Sequence, residues 1–433
     1  MHNSIKEKPA IFSFSKNFWI VILMEFFERG SYYGVMSVLS VYLILSSNEG
    51  GLGFSKESVG IIKSTITPLL YFLPILSGAI ADRFGYRKTL MFAFIMMSAG
   101  YFFTSLFSSY PLVFASLILM AIGAGFFKPI ISGTIARTTD KSNSTLAFGI
   151  YYWSINLGAF LFPLILVPIL KQISWSYIFI MASVGTGWLL FLNIFVYKEP
   201  DKPENTKALK TVLFDMIKVL GDFRFVFMIV IYSGFWILYF QQFDTVLWYV
   251  KDYVDATPVN NIVNSFLSIF ISNPDWKFDV EHVTVINAGT IILLQIFISN
   301  FVKNFKALPT MIAGISLGTI GMAILAISTH PYVFILGIII FSIGEMTAHP
   351  KFISYVGLIA PEDKKALYLG YAFLYGVIGS GIGGVLGANL YVHFVDNLKN
   401  PTILWIIFSS IGLLTIIGLL LYNKFFAPKN LDV

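Results

Sequence analysis

The sequence predicts an all-helical membrane protein whose twelve spanning helices form two sets of six. The first observation is composition, because hydrophobic residues make up 57% of the 433 and charged residues only 12%, with a mean hydropathy of +0.78. Soluble proteins carry about a quarter charged residues. The second observation is that apolar stretches of about 20 residues, enough to cross a bilayer, recur along the chain. The third is a charged segment with Pro200 and Pro203 that divides these stretches into two equal groups.

The apolar stretches place the helices in order along the chain. The first six lie near residues 17–46, 57–81, 88–108, 111–137, 145–170 and 174–197, and the second six near residues 224–254, 282–302, 307–328, 331–360, 366–395 and 400–423. We therefore expect an N-terminal bundle of residues 1–197, a cytoplasmic linker of residues 198–222 and a C-terminal bundle of residues 223–433. Residues 252–281 are acidic and rich in turn formers, which predicts an extracellular loop or an extension of the seventh helix.

Positive charge is unevenly distributed between the two sides of the membrane. Twenty lysines and arginines fall on the side of the termini and the linker, whereas the opposite side has five, namely Lys56, Lys171, Lys251, Lys277 and Lys399. Loops rich in these residues stay in the cytoplasm, so we expect both termini there, in the inner membrane of a prokaryotic cell. Residues 1–16 are polar and lack a cleavable signal pattern, so the first helix should remain in the mature protein.

Residue content excludes or disfavours several kinds of site. The chain has no cysteine, which excludes disulfides, thiolate metal sites and cysteine catalysis, and its five histidines are scattered without ligand spacing. No Walker sequence is present, which disfavours transport driven by ATP. Residues 379–384 fit GxGxxG, but they lie within an apolar span with no preceding strand, so close helix packing explains them better. We expect no cofactor, no metal ion, no enzymatic activity and no nucleic-acid partner.

The first helix carries a cluster of charge in an otherwise apolar stretch. The cluster follows the spacing i, i+3, i+4, i+7, i+8 and therefore shares one helix face, and its members are Glu25, Glu28, Arg29, Tyr32 and Tyr33. A charge at bilayer depth costs a few kcal/mol and usually marks a transport or proton pathway. The alternative is a buried ion pair with a purely structural role. Two carboxylates against one guanidinium favour the functional interpretation.

The segment after the second helix has a characteristic spacing of glycines and charged residues. It contains, in order, Gly78, Asp82, Arg83, Gly85, Arg87 and Lys88. These residues resemble the GxxxDRxGxRK signature of the major facilitator superfamily, at the expected junction of helices two and three. Gly78 allows close helix approach, and Asp82 can accept hydrogen bonds from a neighbouring helix N-terminus. The alternative is an ordinary positively charged loop, but the six-plus-six spacing favours the superfamily and its fold of two six-helix bundles.

Motifs in both halves of the chain resemble those of the proton-coupled oligopeptide transporters (POT/PTR), a family within that superfamily. The first helix is similar to the family's ExxERFxYY motif, with Gly30 at the position of its phenylalanine, and the fourth is similar to FxKPxxS, with Lys128 as the lysine. The other matching positions are Tyr71 in helix two, Asn156 in helix five, Asn287 in helix eight and Glu345 in helix ten. Six motifs in the family's order make the resemblance specific.

Three features depart from the family's pattern. Phe240 in helix seven stands where the family has a carboxylate, and Ala372 in helix eleven stands where a tryptophan is common. The linker also has no room for the two extra helices of many bacterial relatives. Asp244 lies one helical turn beyond Phe240, about 5.4 Å, on nearly the same face. We therefore predict that Asp244 replaces the missing acid as the partner of Lys128, the alternative being that Asp244 faces water at the outer mouth.

The resemblance implies roles for residues of this chain. Proton coupling is implied for Glu25, Glu28, Arg29 and Glu345, and substrate contact for Arg29, Tyr32, Tyr33, Tyr71, Lys128, Asn156, Asn287 and Glu345. Asp244 joins the proton-coupling set because it lies one turn beyond the family's acidic position. By complementarity, Arg29 and Lys128 suit a substrate carboxylate, and Glu345 suits an ammonium group. The two asparagines offer a donor and an acceptor to a peptide bond. Four interior carboxylates against two cations leave a surplus of two negative charges, which bound protons would balance.

These observations predict a symporter that uses the proton gradient to import di- or tripeptides, or peptide-like molecules, by alternating access. A proton-coupled drug or other small-molecule transporter or antiporter of the same fold is the alternative among transporters. A receptor or structural membrane protein is the alternative outside that class. The expected partners are a short peptide, protons and the lipid bilayer, and we expect a monomer.

Overall fold

The computed structural model describes residues 14–140, 143–200 and 209–428, and within these ranges every regular element is a helix. The twelve long helices, α1 to α12, are Lys16–Met36, Lys56–Phe84, Tyr86–Leu106, Tyr110–Thr138, Ser144–Ile173, Ser176–Phe195, Phe223–Phe243, His282–Val302, Ala307–Ile324, Pro331–Ile359, Leu367–Asn397 and Pro401–Phe425. Part of the predicted linker, and six of the twenty positive residues on its side, lie outside the described residues; the six are Lys6, Lys8, Lys141, Lys202, Lys207 and Lys429.

The described helices lie close to the predicted spans. Eleven of the twelve are long and apolar enough to cross a bilayer. The remaining helix, α1, is also 21 residues long, and its apolar character is interrupted by Glu25, Glu28 and Arg29. The predicted all-helical fold with two sets of six spanning helices is therefore confirmed.

Local sequence explains where several helices begin and bend. Ser15, Ser55 and Asp222 accept hydrogen bonds from backbone N–H groups in the first turns of α1, α2 and α7, which would otherwise have no partner there. Pro68 and Pro74 lie inside α2, where each removes one backbone hydrogen bond and favours a bend. Both prolines lie in the part of α2 that faces the second bundle.

The two bundles, α1–α6 and α7–α12, pack against each other at one end of the molecule. We call the end where residues 198–200 leave α6 the linker side, and the opposite end the far side. On the far side α2 packs against α11, and α5 packs against α8. A Cβ atom on Gly60 of α2 would lie 2.6 Å from the Cβ of Ala388 in α11, so only glycine permits this approach.

Ion pairs also join the two halves of the chain on the far side. The Lys56 Nζ lies 2.7 Å from Asp396 Oδ1. The Lys171 Nζ lies 2.7 Å from a carboxylate oxygen of Asp279 and 2.7 Å from one of Glu281. In each pair the lysine belongs to the first half of the chain and the acid to the second. Together with the helix packing, these contacts close the far side.

Short helices lie in the connections between spanning helices, among them Leu39–Ile44 between α1 and α2. The linker helix, Leu209–Leu220, has 12 residues and extends for about 18 Å, which is less than the hydrocarbon thickness of about 30 Å. The seventh helix ends at Tyr253, so it does not extend through segment 252–281, which is a connection that includes a helix of its own. After a break, α7 continues as the helix Thr245–Tyr253, and a separate helix, Thr257–Leu267, precedes the loop that leads to α8. We call Thr257–Leu267 the far-side helix.

Candidate functional site

A cavity lies between the two bundles. Four helices supply its lining: Arg29, Tyr32, Tyr33 and Met36 from α1; Lys63, Thr67, Leu70 and Tyr71 from α2; Ala124 and Lys128 from α4; and Tyr239, Phe240, Phe243 and the following Asp244 from α7. The structure therefore brings together six of the residues predicted for the site, namely Arg29, Tyr32, Tyr33, Tyr71, Lys128 and Asp244.

A second cavity continues from the first toward the linker side. Leu70, Tyr71 and Lys128 line both cavities, which places the junction between them at these side chains. The second cavity extends to Ser132 of α4 and Phe373 of α11, both near the linker side. Since the far side is closed, the first cavity is approached from the linker side. We call this first cavity the central cavity.

The charged residues of α1 form a compact buried cluster. The Arg29 guanidinium makes a two-pronged contact with Glu28, in which Nη2 donates to Oε1 at 2.6 Å and Nε donates to Oε2. The Glu25 carboxylate is farther away, with Oε1 3.7 Å from Arg29 Nε. Both Glu25 oxygens are fully buried, and although the Tyr151 hydroxyl lies beside the carboxylate, neither oxygen accepts a hydrogen bond of regular geometry from the described part of the chain. Arg29 is thus paired with Glu28, and Glu25 is the less satisfied carboxylate.

Aromatic rings surround the cavity next to these charges. The Arg29 guanidinium lies 4.8 Å from the centre of the Tyr32 ring, and Tyr32 meets Tyr33 edge to face at 5.2 Å. The ring of Tyr71 lies 5.7 Å from that of Phe240. Phe240, which stands at the family's acidic position, therefore contributes an apolar ring to the wall.

Lys128 is a cavity cation that has no acidic partner in the described part of the chain. Its Nζ lies 5.8 Å from the centre of the Tyr71 ring. Among the described residues no carboxylate lies within the 4.0 Å of an ion pair, and none accepts a hydrogen bond from this ammonium group. A half-buried ammonium group facing a cavity without a counter-ion is suited to bind an anion.

The predicted pairing of Asp244 with Lys128 is wrong. Asp244 pairs instead with Lys63 of α2, with 3.0 Å between Nζ and Oδ1. Both residues are only 4% exposed, so the alternative of an acid at a water-filled outer mouth is also wrong. The prediction assumed one uninterrupted helix through Asp244. The chain instead tightens into a 3₁₀ turn over Gln241–Phe243 and breaks at Asp244, which has φ −135° and ψ −97°.

Lys63 is the site residue that sequence reasoning omitted. Its ammonium group also donates to the carbonyl oxygen of Phe243 at 3.4 Å, so it contacts the break in α7 twice. A sequence signal was present, because Lys63, Thr67 and Tyr71 follow a spacing of four and share one face of α2. Counting Lys63 changes the predicted charge balance. Four carboxylates now face three cations, and the surplus is one negative charge instead of two.

Three predicted substrate residues do not line the central cavity. Asn287 of α8 donates from Nδ2 to Glu345 Oε2 at 3.0 Å and to the Ser342 hydroxyl at 2.9 Å, so Asn287 and Glu345 form one polar group within the second bundle. Asn156 of α5 donates to the carbonyl of Tyr152 in its own helix at 2.9 Å. Tyr152 itself lines the cavity that opens to the linker side.

The signature segment between α2 and α3 is held by the neighbouring helices. Asp82 accepts a hydrogen bond from Arg137 Nη2 of α4 at 2.7 Å, and not from a helix N-terminus as expected. The carboxylate at the N-terminus of α3 belongs to Glu199, which accepts from the Tyr86 N–H at 2.7 Å. Gly85 joins the two helices with φ +103°, a conformation that favours glycine.

Other members of the signature segment also contact neighbouring elements. Arg87 Nε donates to the carbonyl of Asn193 in α6 at 3.1 Å. The guanidinium of Arg83 lies 5.6 Å from the centre of the neighbouring Phe84 ring. Lys88 occupies the first turn of α3, and the backbone of Gly78 approaches Pro129 of α4. The segment therefore connects α2 and α3 to α4 and α6 on the linker side.

Comparison with protein families identifies the chain's superfamily. The sequence model of the Major Facilitator Superfamily matches residues 18–272 and 259–431. The chain belongs to the Major Facilitator Superfamily. This membership agrees with the signature segment between α2 and α3 and with the two bundles of six helices.

Curated relatives within the superfamily are named as peptide transporters. A di-/tripeptide transporter of Lactococcus lactis is 26% identical over 282 residues, which cover 62% of this chain and 52% of the relative. The dipeptide and tripeptide permease B of Salmonella typhimurium is 23% identical over 464 residues and 92% of each chain. The chain thus spans about half the length of the first of these relatives. Both relatives are transporters and not enzymes.

Solved structures share the fold. A POT family transporter in complex with 5-aminolevulinic acid superimposes with a TM-score of 0.77 at 21% identity, covering 97% of this chain and 100% of the other. A peptide transporter POT in complex with alafosfalin superimposes with a TM-score of 0.74 at 22% identity, covering 94% of each chain. These structures and the curated relatives confirm the resemblance to the oligopeptide transporters.

Proposed function

We propose that this chain is a proton-coupled symporter that carries di- or tripeptides, or peptide-like molecules, by alternating access. The observation that carries the proposal is the cavity between the bundles, where Arg29 and Lys63 each have an acidic partner and Lys128 has none among the described residues. Peptide transporters among the relatives support the choice of substrate. In this proposal residues 1–197 and 223–433 act as the two moving domains.

The free cation defines how the substrate is oriented. Lys128 would bind the carboxylate of the peptide, with Arg29 beside it once substrate competes with Glu28. Glu345 would bind the ammonium end after the second bundle closes, and Asn287 already holds the Glu345 carboxylate in place. In the same closure Asn156 would meet the peptide bond. Tyr32, Tyr33 and Tyr71 would enclose the side chains, since each offers an apolar ring and a hydroxyl.

Proton coupling is proposed to follow from the surplus carboxylate. One proton shared among Glu25, Glu28, Asp244 and Glu345 makes the buried charges balance against the three cations. Glu25 is the proposed binding site for that proton, because its fully buried carboxylate lies 3.7 Å from Arg29 Nε, whereas Glu28 is hydrogen-bonded to the same guanidinium. Release of the proton would return the negative charge of Glu25 beside Arg29. It would thereby change the competition between Glu28 and the substrate carboxylate for the Arg29 guanidinium.

Alternating access requires the far side to open. In this proposal the pairs Lys63–Asp244 and Lys56–Asp396 and the pairs of Lys171 must separate, because each joins the two halves of the chain. We place the linker side in the cytoplasm of a bacterial cell, with both termini there. The bacterial origin of the relatives and the excess of positive residues support this orientation. We propose a monomer in the lipid bilayer as the working unit.

A substrate panel tests the proposal. Purified protein in liposomes with an imposed inward pH gradient is offered a dipeptide, the same dipeptide with an amidated C-terminus, and a tetrapeptide. The proposal predicts accumulation of the free dipeptide that stops when the gradient is collapsed, with weaker uptake of the amidated form. Equal uptake of all three, or none above empty liposomes, would reject a peptide symporter.

A further inference from the structure

The far-side helix and the turn after it present large apolar side chains away from the protein. Ile262 is 62% exposed and Phe266 is 61% exposed, and they are one helical turn apart. In the turn that follows, Ile269 and Phe270 are each 71% exposed. The N–H groups of Ile269 and Phe270 donate to the carbonyl oxygens three residues back, so the chain continues to turn and these two residues extend the same stripe. Four neighbouring apolar side chains in water would be unfavourable.

The other faces of the far-side helix are different in character. Val259 is buried, and Val263 and Leu267 follow it at a spacing of four on the face that packs against the protein. Asn260 and Asn264 fix the helix, because their Oδ1 atoms accept from the N–H groups of Phe278 and Trp276, at 2.7 Å and 2.8 Å. The remaining exposed face is polar and consists of Thr257, Asn261 and Ser265. The helix thus has a protein face, a polar face, and between them an apolar stripe.

The apolar stripe is continuous with the surface that faces lipid. The Tyr332 hydroxyl at the far-side end of α10 donates to the carbonyl of Pro258 at 3.1 Å, which holds the far-side helix against that end of a spanning helix. Tyr332 is 42% exposed, and Leu336, one turn farther into the membrane, is 50% exposed. In a chain that spans a bilayer, these side chains of α10 contact lipid. The stripe begins where the lipid-facing surface of α10 ends.

We propose that residues 257–271 form an interfacial anchor whose apolar stripe is buried in the phospholipid leaflet on the far side. An interfacial helix lies parallel to the membrane with apolar residues below and polar residues above. The three faces found here suit a helix at the junction of protein, lipid and water. A phospholipid leaflet is the occupant, since the stripe has no charged residue and adjoins a lipid-facing helix. Both ends of the anchor lead into the second bundle, so the leaflet holds that bundle.

Spin labels at single cysteines test the anchor. The chain contains no cysteine, so each label reports on one site only. Phe266→Cys places the label in the apolar stripe, and Ser265→Cys is the matched control on the polar face one residue away. Leu293→Cys serves as the reference for lipid, because Leu293 of α8 is 70% exposed. Power saturation in liposomes then measures collisions with oxygen, which concentrates in lipid, and with a water-soluble nickel chelate.

The expected result is a several-fold higher ratio of oxygen to nickel collisions at position 266 than at position 265, approaching the ratio at position 293. A ratio at 266 equal to that at 265 would overturn the proposal, because the stripe would then face water. A second copy of the chain is the other occupant to exclude. Dipolar broadening between labels at 266 that disappears on dilution with unlabelled protein would assign the stripe to a dimer contact and also overturn it.

Discussion

Removing one partner of the Lys63–Asp244 pair should release the far side of the transporter. The two charges are 3.0 Å apart and both are only 4% exposed. At an effective dielectric constant of about 20, their attraction at this distance is about 5–6 kcal/mol. Breaking a buried pair by neutralising one partner typically costs about 3–5 kcal/mol, because the other charge is left without compensation. In the proposed cycle this contact is made only when the far side is closed, so the cost falls on the closed state.

The population of the open state can be measured by labelling a cysteine inside the cavity. Thr67 lines the cavity one turn from Lys63 and is 6% exposed, so Thr67→Cys is protected when the far side is closed. A cost of about 3–5 kcal/mol corresponds to a change from roughly a hundredfold to a few thousandfold in the closed-to-open ratio. We therefore expect Asp244→Asn or Lys63→Gln to raise the rate of labelling by an impermeant thiol reagent, applied from the far side, until opening saturates.

The double variant decides whether the pair is responsible. Asp244→Asn with Lys63→Gln leaves no unpaired charge, so labelling should increase by far less than the product of the two single effects. Two controls are available: Lys56→Gln removes a more exposed pair worth about 0–1 kcal/mol, and Lys128→Gln should combine additively with Asp244→Asn. Additive effects of Lys63→Gln and Asp244→Asn, or strong coupling between Lys128 and Asp244, would refute this reasoning.

Three further predictions concern other parts of the transport cycle. Glu25→Gln should abolish accumulation driven by the pH gradient while sparing exchange of labelled for unlabelled peptide, and normal accumulation would remove Glu25 from coupling. Lys128→Gln should weaken the binding of peptides with a free carboxylate by about 2–5 kcal/mol, and it should weaken the binding of amidated peptides less. Competition assays measure both affinities, and equal losses would assign Lys128 another role. Gly60→Val should keep the bundles apart at Ala388 and raise the rate at which Thr67→Cys is labelled from the far side. Unchanged labelling would mean that the far side closes without the close approach of α2 to α11.

The fold was predictable because membrane spans depend on local composition. An apolar stretch of about 20 residues has few alternatives to a spanning helix, since every backbone polar group must be hydrogen-bonded within the bilayer. The charge cluster of α1 was predictable for a related reason, because five side chains at helical spacing share a face in any intact helix. Which carboxylate pairs with Arg29 depends on side-chain rotamers, which the sequence does not specify. The structure shows that Arg29 is closer to Glu28 than to Glu25.

The partner of Asp244 could not be predicted because it depends on a local break and on contacts distant in sequence. A helical projection from Phe240 places Asp244 toward Lys128, but the turn at Gln241–Phe243 redirects it toward α2. Lys63 is 181 positions away along the chain, and no periodicity in either segment encodes that separation. The same limit applies to Glu199, which occupies the α3 N-terminus that the signature motif suggested for Asp82.

The most direct test of the proposed symport measures proton movement driven by peptide alone. Liposomes containing the protein and a trapped pH indicator start with equal pH on both sides, and a dipeptide is added outside. The account predicts that the lumen acidifies as peptide enters, and that Glu25→Gln transports peptide without acidification. Peptide uptake with a constant internal pH, or with alkalinisation of the lumen, would contradict proton-coupled symport.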